Sequence, residues 1–491
     1  MNRYLYFMLN VPDKINNFIG GIYLPPATNK YIENINPATG KVFSLIAESD
    51  DRDVELAVKK AKAAFTDWSN SSVERRFSIL NKLAELIDEH SEELALAETT
   101  DNGKPLWLSK KVDIPRAAAN FRFFATGIMH FAQESHAIGK HIINYTLRQP
   151  LGIVCCISPW NLPLYLFTWK IAPALVAGNC VIAKPSEVTP LTASMLGDLS
   201  IKAGLPPGVL NILQGTGESC GKAIVSHPEI KAISFTGSTR AGKEISAIAA
   251  PLFKKISLEL GGKNPNIIFA DCDWDKMMKV TLQSSFSNQG QICLCGSRIL
   301  VEESIYEKFK KEFVEKTKLL SVGDPMQDKS KQGAIVSEIH FNKILKAIAT
   351  AKEEGGKILC GGEKVSLKGR CEKGYFIQPT IIEGLGPECK SNREEIFGPV
   401  VTLQSFKNEE AALQLANDCE YGLSATVWTQ DVSRAHRIAG NLHAGIIWIN
   451  CWLLRDLRTP FGGMKNSGVG REGGWEALRF FTEAKNVCIE V

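Results

Sequence analysis

The chain has 491 residues, 44% hydrophobic and 22% charged, with a formal net charge of +4. That length exceeds a single hydrophobic core and calls for roughly two or three domains, while so small a net charge leaves no electrostatic footprint for nucleic acid. Thirteen cysteines without a repeating spacing argue against a disulfide scaffold and for free thiols in a reducing, cytoplasmic compartment; none sits in a Cys/His cluster with zinc spacing, so no metal is expected.

Tyr4 to Val11 is apolar but short and lacks a cleavage pattern, which makes it an N-terminal extension rather than a signal peptide. Ile32 to Ser49 reads as short strands around the turn Asn36-Pro37-Ala38-Thr39-Gly40. Apolar residues at helical spacing then mark helices over 51–66, 72–89 and 91–100, closed by the turn Asp101-Asn102-Gly103-Lys104-Pro105. A further helix over 113–131 carries Arg116 and Arg122. Residues 136–150 alternate on both sides of a Gly-Lys turn, the pattern of a hairpin arm. Lysine pairs such as Lys59-Lys60 and Lys254-Lys255 read as solvated faces.

From Gly152 onward strands and helices alternate. Strands are expected at 152–157, 180–184, 209–214, 232–235 and 255–259, with helices over 164–177, 192–203, 221–226 and 241–249 between them. Such alternation gives a parallel α/β sheet with ligands at the carboxyl ends of its strands. The apolar run from Leu151 to Trp169 is broken by Pro159, Asn161 and Pro163, so it is no membrane span of about 20 residues. A second alternating series runs from Asn266 to about Ile449, and Val487 to Val491 reads as one more short strand.

Two glycine loops touch on nucleotides. Gly215-Thr216-Gly217-Glu218-Ser219-Cys220-Gly221 has one residue too many for a dinucleotide fingerprint and equally suits a plain strand-to-helix turn. Gly237-Ser238-Thr239-Arg240-Ala241-Gly242-Lys243-Glu244 comes close to an ATP-binding P-loop, but Glu244 stands where a Ser or Thr would hold magnesium. The helix start at Gly237-Ser238 can still receive a pyrophosphate through backbone N–H groups and the helix dipole. Further on, Ser285 to Cys295 places Cys293 after a Gly-Gln turn, between a helical run and the strand-like run Arg298 to Glu302. A thiol at such a junction is either core packing or a nucleophile, and its own neighbours do not decide which.

Stretches elsewhere decide it. Ser158-Pro159-Trp160-Asn161-Leu162-Pro163, Lys184-Pro185-Ser186-Glu187, Leu258-Glu259-Leu260-Gly261-Gly262-Lys263-Asn264 and the Cys293 stretch follow one another, and Glu394-Glu395-Ile396-Phe397-Gly398-Pro399 and Pro460-Phe461-Gly462-Gly463 come after them. In this order, over nearly the whole chain, they resemble the aldehyde dehydrogenase superfamily. The resemblance implies an α/β fold with an NAD-binding parallel-sheet domain (15–135 and 151–261), a second α/β catalytic domain (262–460) and a small β oligomerisation arm (136–150 and 478–491), in a homodimer or homotetramer. It implies Cys293 as nucleophile, Asn161 with the Cys293 backbone N–H as oxyanion donors, and Glu259 as the base that activates water. Cys295 is then a neighbour rather than a second nucleophile. Lys184 and Glu187 would hold the adenine ribose, Trp160, Gly237 and Ser238 would line the cofactor, Glu395 would meet the nicotinamide ribose and Phe397 would pack near the ring. A carboxylate at Glu187 repels a 2′-phosphate, which favours NAD over NADP.

Asp113-Ile114-Pro115-Arg116, Asn120-Phe121-Arg122-Phe123-Phe124 and Asn450-Cys451-Trp452-Leu453-Leu454-Arg455 resemble the branch of the superfamily that oxidises the semialdehyde of 2-aminomuconate. Arg116 and Arg455 match two channel arginines of that branch, and paired guanidiniums suit a substrate carboxylate. Plainer readings are a helix-surface charge for Arg116 and an ion pair with Asp456 for Arg455. The 2-hydroxymuconic semialdehyde stays open as substrate. A retinal-type or general aldehyde would leave the arginines desolvated, and a quaternary ammonium substrate would be repelled. A silent scaffold of the same fold and an acylating enzyme using coenzyme A are disfavoured by the intact Asn161, Glu259 and Cys293 set.

Overall fold

The computed structural model describes residues 11–490, so Tyr4 to Asn10 of the apolar N-terminal stretch lie outside the described residues. Three sheets organise the chain. The first runs, from edge to edge, Gly468–Val469, Lys255–Glu259, Ile230–Thr236, Ile153–Ile157, Cys180–Lys184, Leu210–Ile212, Asn17–Ile19 and Ile22–Leu24. Its five central strands are parallel. The strands Ile153–Ile157 and Cys180–Lys184 are buried throughout, because helices cover both faces of a parallel sheet. Chain order runs one way from Ile153–Ile157 through Leu210–Ile212 and the other way from Ile230–Thr236, so the sheet has its switch point between Ile153–Ile157 and Ile230–Thr236. In open α/β sheets ligands bind at the carboxyl ends beside such a point. Trp160-Asn161, Lys184, Gly237-Ser238 and Glu259 all sit at those ends.

The second sheet runs Lys357–Cys360, Thr380–Glu383, Val400–Phe406, Arg298–Glu302, Pro265–Ile268, Ser424–Trp428 and Ile446–Ile449, all parallel except the first. The third pairs Thr482–Glu490 with Ile142–Pro150 and that strand with Ser135–Ile138. The hairpin arm is therefore present. The final strand is longer than expected and pairs along its whole length with Ile142–Pro150 of the same chain. No described helix is long and apolar enough to cross a membrane, and all thirteen cysteines are free.

One reading changes, one left open is narrowed, and one holds. Lys254 is no solvated face: it is 8% exposed, and its ammonium donates to the Val225 and His227 carbonyls at 2.6 Å each. Its neighbour Lys255 reaches the Thr482 carbonyl at 2.9 Å. The Gly215 loop is a plain structural turn, since Glu48 accepts both the Thr216 N–H (3.1 Å) and the Thr216 hydroxyl (2.7 Å) that a phosphate would need. Glu244 pairs with Arg240 in solvent at 3.0 Å, so the P-loop likeness ends at the helix start.

Candidate active site

Cys293 is delivered by an abrupt turn. The helix Trp274–Phe286 ends, and Asn288 (φ 52°), Gln289 (φ 57°) and Gly290 (φ 69°) follow in succession in the left-handed region. Only Gly290 adopts that conformation without penalty. A Cβ there would also stand 2.1 Å from the Gly398 carbonyl. Side chains hold the other two: Gln289 Nε2 donates to the Ala334 carbonyl at 2.9 Å, and Asn288 Nδ2 to the Asn161 and Gln291 carbonyls at 2.9 and 3.2 Å. Gln291 Oε1 in turn accepts the Val336 N–H at 3.1 Å. Strain concentrated in one turn and countered by its surroundings is the usual mark of a positioned functional residue.

Asn264 fixes the far side of the turn. Its amide donates to the Cys293 carbonyl at 2.6 Å and the Cys295 carbonyl at 2.9 Å, and its oxygen accepts the Ser424 N–H at 3.0 Å. Cys293 is half-buried against the apolar cluster of Ile292, Leu294, Leu423, Trp448 and Phe461. Burial, followed by the nearby carboxyls of Glu395 and Glu259, pushes its thiol up, and the Arg455 guanidinium opposes them. Cys295 lies deeper, its thiol pushed up to about 12, chiefly by burial. The half-buried sulfur is the one with access.

Asn161 meets this turn across the sheet interface. Its Nδ2 donates one hydrogen to the Gln291 carbonyl at 2.9 Å, which leaves the second for a ligand at Cys293. The Cys293 backbone N–H has no acceptor among the described residues. Gln291 thus ties Asn161 to the turn that bears Cys293, and an amide hydrogen and a backbone N–H without acceptors beside a thiol are the kinds of donor that an oxyanion formed by attack on a carbonyl requires.

The loop carrying Asn161 is pinned from behind by residues that read in sequence as a polar turn. Lys104 is fully buried; its ammonium donates to the Asn161 carbonyl at 3.1 Å, pairs closely with Asp113 and lies 3.5 Å from Glu98. Asn102 Nδ2 donates to the Trp160 carbonyl at 2.8 Å. Burial raises the Glu98 and Asp101 carboxyls to about 7 each. Removing the one cation from such a cluster leaves buried acids uncompensated, which typically costs about 3–5 kcal/mol. Lys104→Met is therefore expected to lower the urea midpoint of unfolding by that free energy with the urea dependence unchanged; an unaltered midpoint would show that Lys104 does not hold the loop.

Glu259 ends its strand beneath this loop, 3% exposed, with no hydrogen-bond partner at either carboxyl oxygen among the described residues. Burial raises it well above the ordinary carboxylate range; Glu472 adds to the shift, and Lys170, Arg471 and Arg455 oppose it. Leaving a buried carboxyl unpartnered costs roughly 1–3 kcal/mol, and a carboxyl so perturbed is a candidate for a functional group. Gly462 makes room for it, since a Cβ there would lie 2.8 Å from Glu259 Oε1. Lys170 and Glu472, paired at 2.7 Å with Ser234 bridging them, form the polar floor under it. Neither pair member is evident from local sequence.

Several features of this chain suit a dinucleotide. The helix Thr239–Ala249 starts at Ser238, whose hydroxyl caps the Ala241 N–H at 3.2 Å. Lys184, 2% exposed, holds the half-exposed Glu187 carboxylate at 3.2 Å. Glu395 Oε1 accepts the Gly262 N–H at 2.9 Å, its carboxyl pushed up to about 7 by burial. A Cβ on Gly261 would lie 2.3 Å from that carboxylate. Phe397, at φ 59°, sets its ring edge-on to Trp160 at 5.2 Å, and His340 Nε2 donates to the Phe397 carbonyl at 2.7 Å. The helix start at Ser238 and the Lys184–Glu187 pair lie at the carboxyl ends of the parallel strands, where an open α/β sheet receives a dinucleotide.

Arg116 and Arg455 come together as well. Arg455 lies 4.0 Å from the Phe461 ring and 4.9 Å from the Trp169 ring. It does not pair with Asp456, which takes Arg458 instead. Arg116 is half-buried against the Tyr165 ring rather than on a helix surface.

Comparison with known proteins gives a consistent result. Residues 23–487 match the aldehyde dehydrogenase family. The chain is 49% identical over 480 residues to the 2-aminomuconic semialdehyde dehydrogenase of Bos taurus, with 97% of this chain and 98% of that protein covered. It is 43% identical over 484 residues to the 2-hydroxymuconic semialdehyde dehydrogenase of Pseudomonas sp. (strain CF600), with 97% and 100% covered. Among solved structures, an indole-3-acetaldehyde dehydrogenase in complex with NAD+ superposes with a TM-score of 0.96 at 36% identity, covering 100% of this chain and 98% of that one.

Proposed function

The chain belongs to the aldehyde dehydrogenase family and is an NAD-dependent aldehyde oxidoreductase, and on that premise we propose that it oxidises a carboxylate-bearing semialdehyde, 2-aminomuconic 6-semialdehyde, to 2-aminomuconate in the cytoplasm. The relatives named for that activity are similar over nearly their whole length. One observation carries the substrate reading: two guanidiniums meet at the Tyr165 side chain, Arg455 is near enough to Cys293 to oppose the rise of its thiol, and neither arginine has a carboxylate partner among the described residues. The 2-hydroxymuconic semialdehyde, differing by one substituent, is the second reading and rests on a relative named for it.

In this reading the Cys293 thiol gives up its proton to solvent and adds as thiolate to the aldehyde carbon, and the carbonyl electron pair moves onto oxygen. The Asn161 amide and the Cys293 backbone N–H receive that oxyanion, each donor contributing about 3–4 kcal/mol. NAD, when bound, accepts the hydride. Lys184 and Glu187 would hold its adenine ribose, Trp160, Gly237 and Ser238 would line it, Glu395 would meet its nicotinamide ribose and Phe397 would pack near the ring. The carbon left on Cys293 is a thioester. Glu259 then takes a proton from the water that attacks this thioester, the acid is released, and the thiolate is restored. The nucleotide unit (15–135 and 151–261) and the thiol-bearing unit (262–460) meet at this point, and the arm strands serve assembly into a dimer or tetramer.

Steady-state rates with carboxylated and uncharged aldehydes test the reading. For Arg116→Ala/Arg455→Ala, kcat/KM with 2-hydroxymuconic or 2-aminomuconic semialdehyde is expected to fall about 100-fold further than kcat/KM with hexanal. Equal falls would remove the carboxylate from the account.

A further inference from the structure

One phenol joins the two arginines. Arg455 Nη1 donates to the Tyr165 oxygen at 2.6 Å, and the Arg116 guanidinium carbon lies 5.8 Å from the centre of the same ring. Tyr165 is 6% exposed and sits on the helix Pro163–Val176, one turn beyond Asn161. That turn is itself fixed, because Asn120 Nδ2 donates to the Tyr165 carbonyl and the Thr168 hydroxyl at 3.0 Å each. Arg455 has little freedom to turn away, with Phe461 and Trp169 stacked around it.

Two like charges gathered at one ring repel each other, and an anion between them relieves the repulsion. The phenol adds a third polar element. Its oxygen accepts from Arg455, while its own hydrogen has no acceptor among the described residues. A hydroxyl that accepts from a cation is polarised into a stronger donor.

We infer that the Tyr165 O–H is a third donor to the substrate's carboxylate and that the same phenol positions Arg455 beside Arg116, a specificity role that neither the comparisons nor the sequence motifs assign. The inference rests on the carboxylate-bearing substrate proposed above. The chemistry recognised is a planar carboxylate at the far end of the aldehyde, met by two guanidiniums and one hydroxyl. An apolar aldehyde offers no acceptor to the phenol hydrogen, to Arg116 or to the Arg455 hydrogens that Tyr165 does not take, so the same group that favours the charged substrate works against the uncharged one.

Tyr165→Phe removes the hydroxyl and keeps the ring under Arg116. With 2-hydroxymuconic semialdehyde its KM is expected to rise about tenfold with kcat within twofold of wild type, and its preference for that aldehyde over hexanal to fall by the same factor. A loss in kcat, or equal losses with both aldehydes, would mark Tyr165 as structural only and overturn the inference. So would an unchanged KM in Tyr165→Phe where Arg116→Ala raises it, and that result leaves the carboxylate reading standing. A wild-type enzyme with no preference for the carboxylated aldehyde would overturn both.

Discussion

Cys293→Ala is expected to lower kcat by about 10⁴-fold or more, because no second group nearby can form the adduct from which hydride leaves. Cys295 does not substitute for it. Cys295 is 6% exposed and its backbone N–H is taken by the Ile292 carbonyl, whereas Cys293 is half-buried in the turn that Asn161 holds through Gln291. Dinucleotide titration by fluorescence should still report NAD binding in the variant, since the residues proposed to hold NAD lie on the first sheet and at 395–397. Turnover within tenfold of wild type would mean that another nucleophile does the chemistry.

Glu259→Gln is expected to separate the two halves of the reaction. Hydride departure needs the thiol and the oxyanion donors; hydrolysis needs a base, and general-base assistance is typically worth about 10²–10⁴-fold. Rapid mixing should therefore show one equivalent of NADH formed quickly, followed by a steady state slower by about 10³-fold. The pH dependence follows from the direction of the shift. Burial raises the Glu259 carboxyl above the ordinary range, and a raised carboxyl holds its proton to higher pH. It works as a base only above its raised pKa, so the hydrolytic step should slow as pH falls through it. In Glu259→Gln that dependence should vanish from the slow phase. A variant that keeps wild-type steady-state rates, or loses the burst along with them, would contradict the assignment.

What the sequence disclosed and what it hid have different physical origins. Strands such as Ile153–Ile157 and Cys180–Lys184 were legible because strands buried on both faces read as short apolar runs. Gly237-Ser238 was legible as a helix start after such a run, whereas Trp160, Asn161, Lys184 and Glu259 were candidates only through the family resemblance, and each follows or ends a strand of the first sheet. Lys254 misled because a lysine pair looks the same in sequence whether its ammonium meets water or two carbonyls. Asp101 to Lys104 was legible as the turn closing a helix but not as a buried cluster, which forms because Lys104 meets Asp113, Glu98 and the Asn161 carbonyl and Asp101 meets Asn34 and the Leu191 N–H. Tyr165 and Arg455 stand 290 positions apart, and Lys170 and Glu472 are 302 apart. No local pattern announces such contacts. The left-handed run at Asn288 and Gln289 was hidden too, since neither residue type demands it and only the side-chain partners of the turn hold it there.

The account turns on a covalent acyl intermediate at one sulfur, and intact-protein and peptide mass spectrometry of Glu259→Gln mixed with NAD and 2-hydroxymuconic semialdehyde looks at it directly. The predicted result is one acyl group per chain, carried by the Cys293 peptide, released by hydroxylamine, and formed with one equivalent of NADH. NADH formed without any adduct, or an adduct borne by Cys295 or Cys451, would contradict it.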